Sequence, residues 1–180
     1  MSATLTVPAS RLSASARKAL AAAMTTGTLL TDDAEMVAFE TDGFTLARGR
    51  PAAVALCEST EEVAAVIKVC VAHDLGVVPR GSGTGLTGGC IEGGGRPGVV
   101  VCTSRMTTIR RIDLENRVAC VEAGVRNTEL SDAVSRVPGG EMLHFAPDPS
   151  SQRASTVAGN AATNAGGLHT LKDFVTSSHV

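Results

Sequence analysis

The chain has 180 residues, 43% of them apolar and 19% charged, with a formal net charge of −2. That composition suits one to one and a half globular domains; it excludes a disordered chain and, with no basic stripe anywhere, a nucleic-acid partner. No window approaches the roughly 20 apolar residues of a membrane span, and with no Trp or Tyr the core must rest on Val, Ala, Leu and Ile.

In chain order, "MSATLTVPASRLSASARKAL" has no long apolar core, so no signal peptide is expected. Residues 13–24 are Ala-rich and predict a helix with Gly27 as its stop. Asp32 and Asp33 suit the cap of a short helix ending before Gly43. Residues 1–49 thus read as an N-terminal helical segment. "PAAVALC" (51–57) predicts a strand. Ser59 and Glu62 then form a capping-box pattern. Val63, Val66, Ile67, Cys70 and Val71 follow at helical spacing, and Gly76 offers a stop. "VVP" restarts a strand, completing a β-α-β unit that predicts a parallel pair.

Further on, "GVVVC" (98–102) reads as a buried strand, and residues 108–125 as two strands around a turn near Glu115–Asn116. A helix begins at Asn127, its expected N-cap, and ends at "PGG". The last 40 residues, rich in Pro, Ser, Thr, Asn and Gly, are a linker or a set of binding loops. The five cysteines contain no C-x-x-C pair, which fits neither a zinc site nor an iron–sulfur cluster. They read as buried thiols of a reducing cytoplasm, and no metal site is expected.

The second strand of the β-α-β unit runs into "VVPRGSGTGLTGGC", with five glycines from Gly81 to Gly89. Its position at a strand's carboxyl end is where open α/β sheets place ligands. Gly83-x-Gly85-x-x-Gly88 satisfies the dinucleotide fingerprint literally. That fingerprint requires a helix starting inside it, and "GCIEGGGRPG" cannot supply one; the acidic residue expected roughly 20 positions on is missing too. A Walker loop fails as well, since no Lys lies between Lys68 and Lys172. What remains is a nest of peptide N–H groups suited to a pyrophosphate, or a flexible surface loop. Ser82, Thr84 and Thr87 would add hydroxyl donors, and Arg80 charge near the rim.

"VPRGSGTGLTGG", with "TDG" at 41–43, "GVRN" at 124–127, "APDPSS" at 146–151, "GN" at 159–160 and "NAGGLH" at 164–169, resembles the FAD-linked oxidases with a PCMH-type (vanillyl-alcohol oxidase type) flavin-binding domain. Within them the similarity points to the flavin-carrying chains of the glycolate oxidases, relatives of D-lactate and D-2-hydroxyglutarate dehydrogenases. The resemblance implies an α+β fold: an α/β N-terminal subdomain with a parallel sheet, then an antiparallel subdomain within which the chain stops. It assigns 50–180 to an FAD-binding PCMH-type domain, incomplete at its C-terminus and without the cap domain. It further implies that Pro79, Arg80, Gly81, Ser82, Gly83, Thr84, Gly85, Thr87, Gly88 and Gly89 hold the FAD pyrophosphate. Pro147, Asp148, Ser150, Ser155, Thr156, Gly159, Asn160, Asn164, Gly166 and Gly167 would line the flavin.

Family members that tether FAD covalently carry a His in the pyrophosphate loop. Thr84 stands there in this chain, so non-covalent FAD is expected. The family's catalytic histidines and metal ligands lie beyond this chain's last residue, so no catalytic residue is assigned. The implied activity is oxidation of a small 2-hydroxy acid to the 2-oxo acid. Electrons would pass to a partner subunit of iron–sulfur type. A catalytically silent flavin-binding remnant is the alternative, and a phosphate-binding module without flavin a third. His169 reads as a hydrogen-bonded structural residue or a proton carrier, and His73 and His144 as structural. Arg126 and Asn127 read as a substrate clamp or a helix cap, and Arg48 and Arg50 as solvated.

Overall fold

The structure, a computed structural model, describes residues 12–44 and 46–180. The chain divides into two compact units, Met1–Arg105 and Met106–Val180.

In the first unit, α1 (Ala14–Ala23) starts where the Ser13 hydroxyl accepts the Ala16 amide. Strand β1 (Thr28–Leu30) and helix α2 (Asp33–Met36, capped by Asp32) follow. Next come β2 (Ala53–Leu56), α3 (Thr60–Ala72), β3 (Gly76–Arg80) and β4 (Gly98–Cys102). The sheet order is β1-β2-β4-β3, with β1 antiparallel and the other pairings parallel. The predicted β2–α3–β3 unit is therefore parallel, but its strands are not neighbours. Strand β4 lies between them because all five of its residues are buried, which demands a strand on either side. Alternation sends Ala53, Ala55, Val99 and Val101 to the face covered by Ala16, Leu20, Val66 and Cys70. Val54, Val100 and Cys102 meet Met36 on the other. With β1 paired to β2, the leading helical segment is part of this unit.

Five local expectations are corrected. Ile67 and Val71 turn off the buried stripe of α3 and are exposed. The left-handed residue after α3 is Asp74 (φ 52), which brings Leu75 into the core, while Gly76 already belongs to β3. The Ser59 hydroxyl accepts the Glu62 amide, but the Glu62 carboxylate does not reach back to it. Glu62 is buried and accepts instead from the amides of Thr25 (2.7 Å), Thr26 (2.6 Å), Gly27 (2.8 Å) and Glu58 (2.9 Å). Gly27 therefore serves this close approach rather than the end of α1: a Cβ there would meet Glu62 Oε2 at 2.7 Å. Fifth, the thiols are not uniformly buried. Cys57, Cys70 and Cys102 are, Cys90 is half-buried, and Cys120 is exposed. Burial, with Glu62 and Cys102 adding, pushes the Cys57 thiol up to about 11.

The second unit contains the hairpin β5 (Ile109–Asp113) and β6 (Val118–Val121), then α4 (Asn127–Ser135), α5 (Val157–Thr163) and α6 (Thr170–Asp173). The hairpin turns through Arg117 (φ 54), with the Asp113 carboxylate accepting the Asn116 amide. Its buried core is Val125, Leu130 and Val157. The cap of α4 is Arg126, not Asn127, which is itself buried inside the helix. Among the described residues, no helix is long and apolar enough to cross a membrane.

Candidate functional site

The glycine loop leaves the carboxyl end of β3 just after Arg80, whose carbonyl accepts the Thr103 amide and closes the ladder with β4. No helix forms from Gly81 to Pro97, so the loop owes nothing to a helix dipole, as its sequence requires. Gly83 and Gly88 both have φ +74, the left-handed conformation that glycine adopts at no steric cost. Among the described residues, the amides from Ser82 to Thr87 have no acceptor, and the hydroxyls of Ser82, Thr84 and Thr87 have no partner. A run of free donors on a fixed backbone is what an anion nest needs.

Two side chains fix that backbone. Asp42 Oδ1 accepts the Phe44 amide (2.7 Å), and its Oδ2 accepts the Gly88 amide (3.1 Å) and faces the Cys90 thiol (3.8 Å). Arg80 corrects the expectation of charge at the rim. Its guanidinium is buried, donates to the carbonyls of Thr41 (3.0 Å) and Ala38 (3.2 Å) and lies over the Phe39 ring at 5.3 Å. It passes under Gly83, where any Cβ would collide with it. Three satisfied contacts inside the protein leave no reason for the side chain to turn outward. Pro79 sits in β3 opposite Val101. Arg48 and Arg50 are exposed, as expected, and each also pairs with the buried Glu40, at 2.7 and 3.5 Å.

In the second unit the predicted flavin-lining segments are tied to one another. Asn160 donates to Asn127 Oδ1 (2.7 Å), and Asn127 donates to the Pro147 carbonyl (3.2 Å), all three residues being buried. The Asn160 side chain is thus spent inside the protein, and Asn127 is no substrate clamp. Thr156 caps α5 by accepting the Gly159 amide. Asn164 (φ 50) closes the same helix, its Oδ1 accepting the Ser177 amide. Arg126 pairs with Glu129. Ser155 differs from all of these. Its hydroxyl is, among the described residues, the one buried side-chain polar atom without a hydrogen-bond partner. Such an orphan costs about 1–3 kcal/mol unless a further group meets it.

His169 is not alone. Its Nδ1 lies 2.6 Å from Asp148 Oδ2, and its amide donates to Oδ1 at 3.3 Å. The imidazole, ahead of the backbone contacts, holds the Asp148 carboxyl below its ordinary value. Gly167 lies so close to the Asp148 carbonyl that a side chain there has no room. An apolar cavity of about 680 Å³ in this unit lies elsewhere: it is lined by Ile112, Leu114, Leu130, Val134 and Phe145 among others, and by none of the predicted cofactor residues.

FAD fits what the residues offer. The free amides of Ser82–Thr87 and the three hydroxyls suit its diphosphate. Asp42 is the contributor that residue-by-residue reading missed. Its signal is an Asp two positions before a loop amide, the pattern of an Asx turn.

Residues 51–180 match the family described as FAD binding domain. The chain is 42% identical over 144 residues to the glycolate oxidase subunit GlcD of Escherichia coli (strain K12), covering 80% of this chain and 28% of that protein. It is 38% identical over 133 residues to the D-lactate dehydrogenase of Anaerostipes hadrus, covering 74% of this chain and 26% of the relative. The chain thus spans between a quarter and a third of the length of these relatives. Among solved structures, alkyldihydroxyacetonephosphate synthase aligns with a TM-score of 0.81 at 19% identity, over 96% of this chain and 33% of that one. For p-cresol methylhydroxylase the TM-score is 0.68 at 19% identity, over 84% of this chain and 29% of the other. These two likenesses establish the PCMH-type fold.

Proposed function

The chain belongs to the FAD-binding-domain family of flavin-dependent oxidoreductases and takes FAD as its cofactor, and from that premise we propose that it is the flavin-holding portion of an enzyme oxidising a small 2-hydroxy acid to the 2-oxo acid. The observation that carries this reading is the row of amides from Ser82 to Thr87 at the end of β3, which have no acceptor among the described residues. In it, the amides of Ser82–Thr87 receive the diphosphate, with Ser82, Thr84 and Thr87 adding hydroxyls. Thr84 has no ring nitrogen with which to form a bond to the flavin, so the cofactor is held without a covalent link. Ser155 and the backbone around Gly159, Gly166 and Gly167 line the flavin, and the Asn127–Asn160–Pro147 ties hold those segments in place. When bound, FAD supplies the two-electron acceptor for a hydride from the substrate's α-carbon. No residue of this chain is assigned to take the hydroxyl proton. Electrons leave to a partner subunit, proposed to be of iron–sulfur type; the relative named as a subunit of glycolate oxidase supports the existence of a partner subunit.

The test is spectroscopic. The purified chain, with FAD added, is expected to retain yellow flavin bands through gel filtration and to release the flavin on denaturation. Their absence overturns the reading. Anaerobic bleaching by glycolate or D-lactate supports the 2-hydroxy acid. Bound flavin that stays oxidised with both acids reduces the chain to a flavin holder.

A further inference from the structure

Each of the two charged side chains nearest the glycine loop is spent inside the protein. Arg80 donates to two carbonyls of the segment that precedes the loop in space, and reaches the Cys90 carbonyl and thiol at 3.5 Å each. Asp42, from that same segment, holds the Gly88 amide and faces the Cys90 thiol. Together they bind the far end of the loop, residues 88–90, to residues 38–44 and leave the near end, Ser82–Thr87, with free donors. We propose that Asp42 and Arg80 are positioning residues that select which amides of the loop are open to a diphosphate, controlling cofactor affinity without touching the cofactor. This rests on the reading of the loop as the FAD diphosphate site.

The physical case is one of preorganisation. A glycine-rich loop has the most backbone freedom to lose on binding, and that cost falls on affinity unless the fold has already met it. A guanidinium has a planar fork of donors that can reach separate carbonyls at once, and no other side chain reproduces it. Here the fork fixes the loop from below: with Arg80 against Gly83 and over Phe39, the loop cannot collapse into the space beneath it. The Asp42 carboxylate contributes a second restraint by satisfying Gly88. That amide is thereby withdrawn from the ligand, and the nest is confined to the six residues before it.

Two conservative variants separate this role from general stability. Asp42→Asn keeps one oxygen for the Phe44 amide but turns an NH2 group towards Gly88, so the turn survives and the tether is lost. Arg80→Lys keeps the charge and loses the fork. The measurement is the ratio of FAD affinity to riboflavin affinity, by fluorescence titration of the full 180-residue chain, since riboflavin lacks the diphosphate. Alongside it, hydrogen exchange at the Gly88 amide is followed in the flavin-free protein. Each variant is expected to lower the ratio about tenfold or more, as misplacement of a binding group by an ångström does. Asp42→Asn should also release the Gly88 amide to exchange, with the thermal unfolding midpoint little changed. A ratio unchanged in Asp42→Asn overturns the proposal even if Arg80→Lys fails to fold. A ratio that rises overturns it too, because the carboxylate would then act only by repelling the diphosphate. Equal affinity of the wild-type chain for FAD and riboflavin overturns the loop assignment itself, and the positioning role with it.

Discussion

The central strand of the first unit and the hairpin of the second divide their apolar residues in opposite ways. Strand β4 buries all five of its residues between two parallel neighbours, with helices on one face and Met36 on the other. Hairpin β5–β6 has no fully buried residue, and one of its faces borders an apolar groove of about 680 Å³. The first unit thus has a closed hydrophobic core. The second has only a small apolar core, Val125, Leu130 and Val157, and adds the buried polar ties Asn127 to Pro147 and Asn160 to Asn127, with Asp148 to His169 at its surface. Apolar burial is non-directional and tolerates adjustment, whereas buried hydrogen bonds fail abruptly when one partner is removed. The same kind of substitution should therefore act differently in the two units.

The largest expected effect is in β4. Val100→Asp places an unpaired carboxylate at the centre of the sheet, beyond what the unit can absorb. The expected outcome is loss of cooperative unfolding and of far-ultraviolet circular dichroism from the first unit. A folded Val100→Asp protein would show that the core is not closed. Next is Glu62→Ala, which removes the acceptor for four backbone amides and should cost about 3 kcal/mol in chemical denaturation. Burial raises this carboxyl's pKa, but the amides of Glu58, Gly27, Thr26 and Thr25 outweigh it and hold the group well below its ordinary value. The contribution is thus fully present above the unfolded value of about 4.3 and is lost as pH falls towards the folded one. Wild-type stability should decline with acid over that window, and the Glu62→Ala curve should be flatter.

How much of this was legible in the sequence follows from the range of the interactions. Strands β2, β3 and β4, the cap at Asp32 and the hairpin all follow from local pattern, and the structure has them, whereas β1 lies in a segment that reads as helical. So does the rejection of a Rossmann helix after the glycine loop, since prolines and glycines act locally. The insertion of β4 between β2 and β3 depends on which strand is buried on both sides, which no local window states. The destinations of Glu62, Arg80 and Asn160 were equally hidden. Each partner lies 33 or more residues away, except the neighbouring Glu58 and Cys90, and each side chain carries the same residue type whether it faces ligand or protein. Of the proposed flavin segments, the motifs themselves were readable. Which of their side chains brace inward, as those of Arg80 and Asn160 do, was not.

That inward bracing predicts a third effect, smaller than the first two and confined to the other unit. Asn127→Ala leaves the Asn160 amide without its acceptor and the Pro147 carbonyl without its donor, which should cost about 1–3 kcal/mol. Hydrogen exchange is expected to accelerate in residues 127–163 and to be unchanged across β2, β3 and β4. Equal acceleration in both units would dissolve the contrast, because it would mean that they unfold as one.

The smallest expected effect has the opposite sign. Phe174 follows α6 with φ 61 and ψ −165, a region that glycine alone enters freely, and its ring is 64% exposed, so little packing repays the strain. Such a conformation costs about 1–3 kcal/mol for a residue with a side chain, while glycine's additional freedom in the unfolded chain costs about 0.5–1 kcal/mol. The first term is the larger, so Phe174→Gly should stabilise the second unit by about 1 kcal/mol, read as a higher denaturation midpoint with an unchanged slope. A loss of stability would mean that the ring packs in solution against something that repays its backbone. The second unit's apolar surface would then be partly closed, and its difference from the first correspondingly smaller.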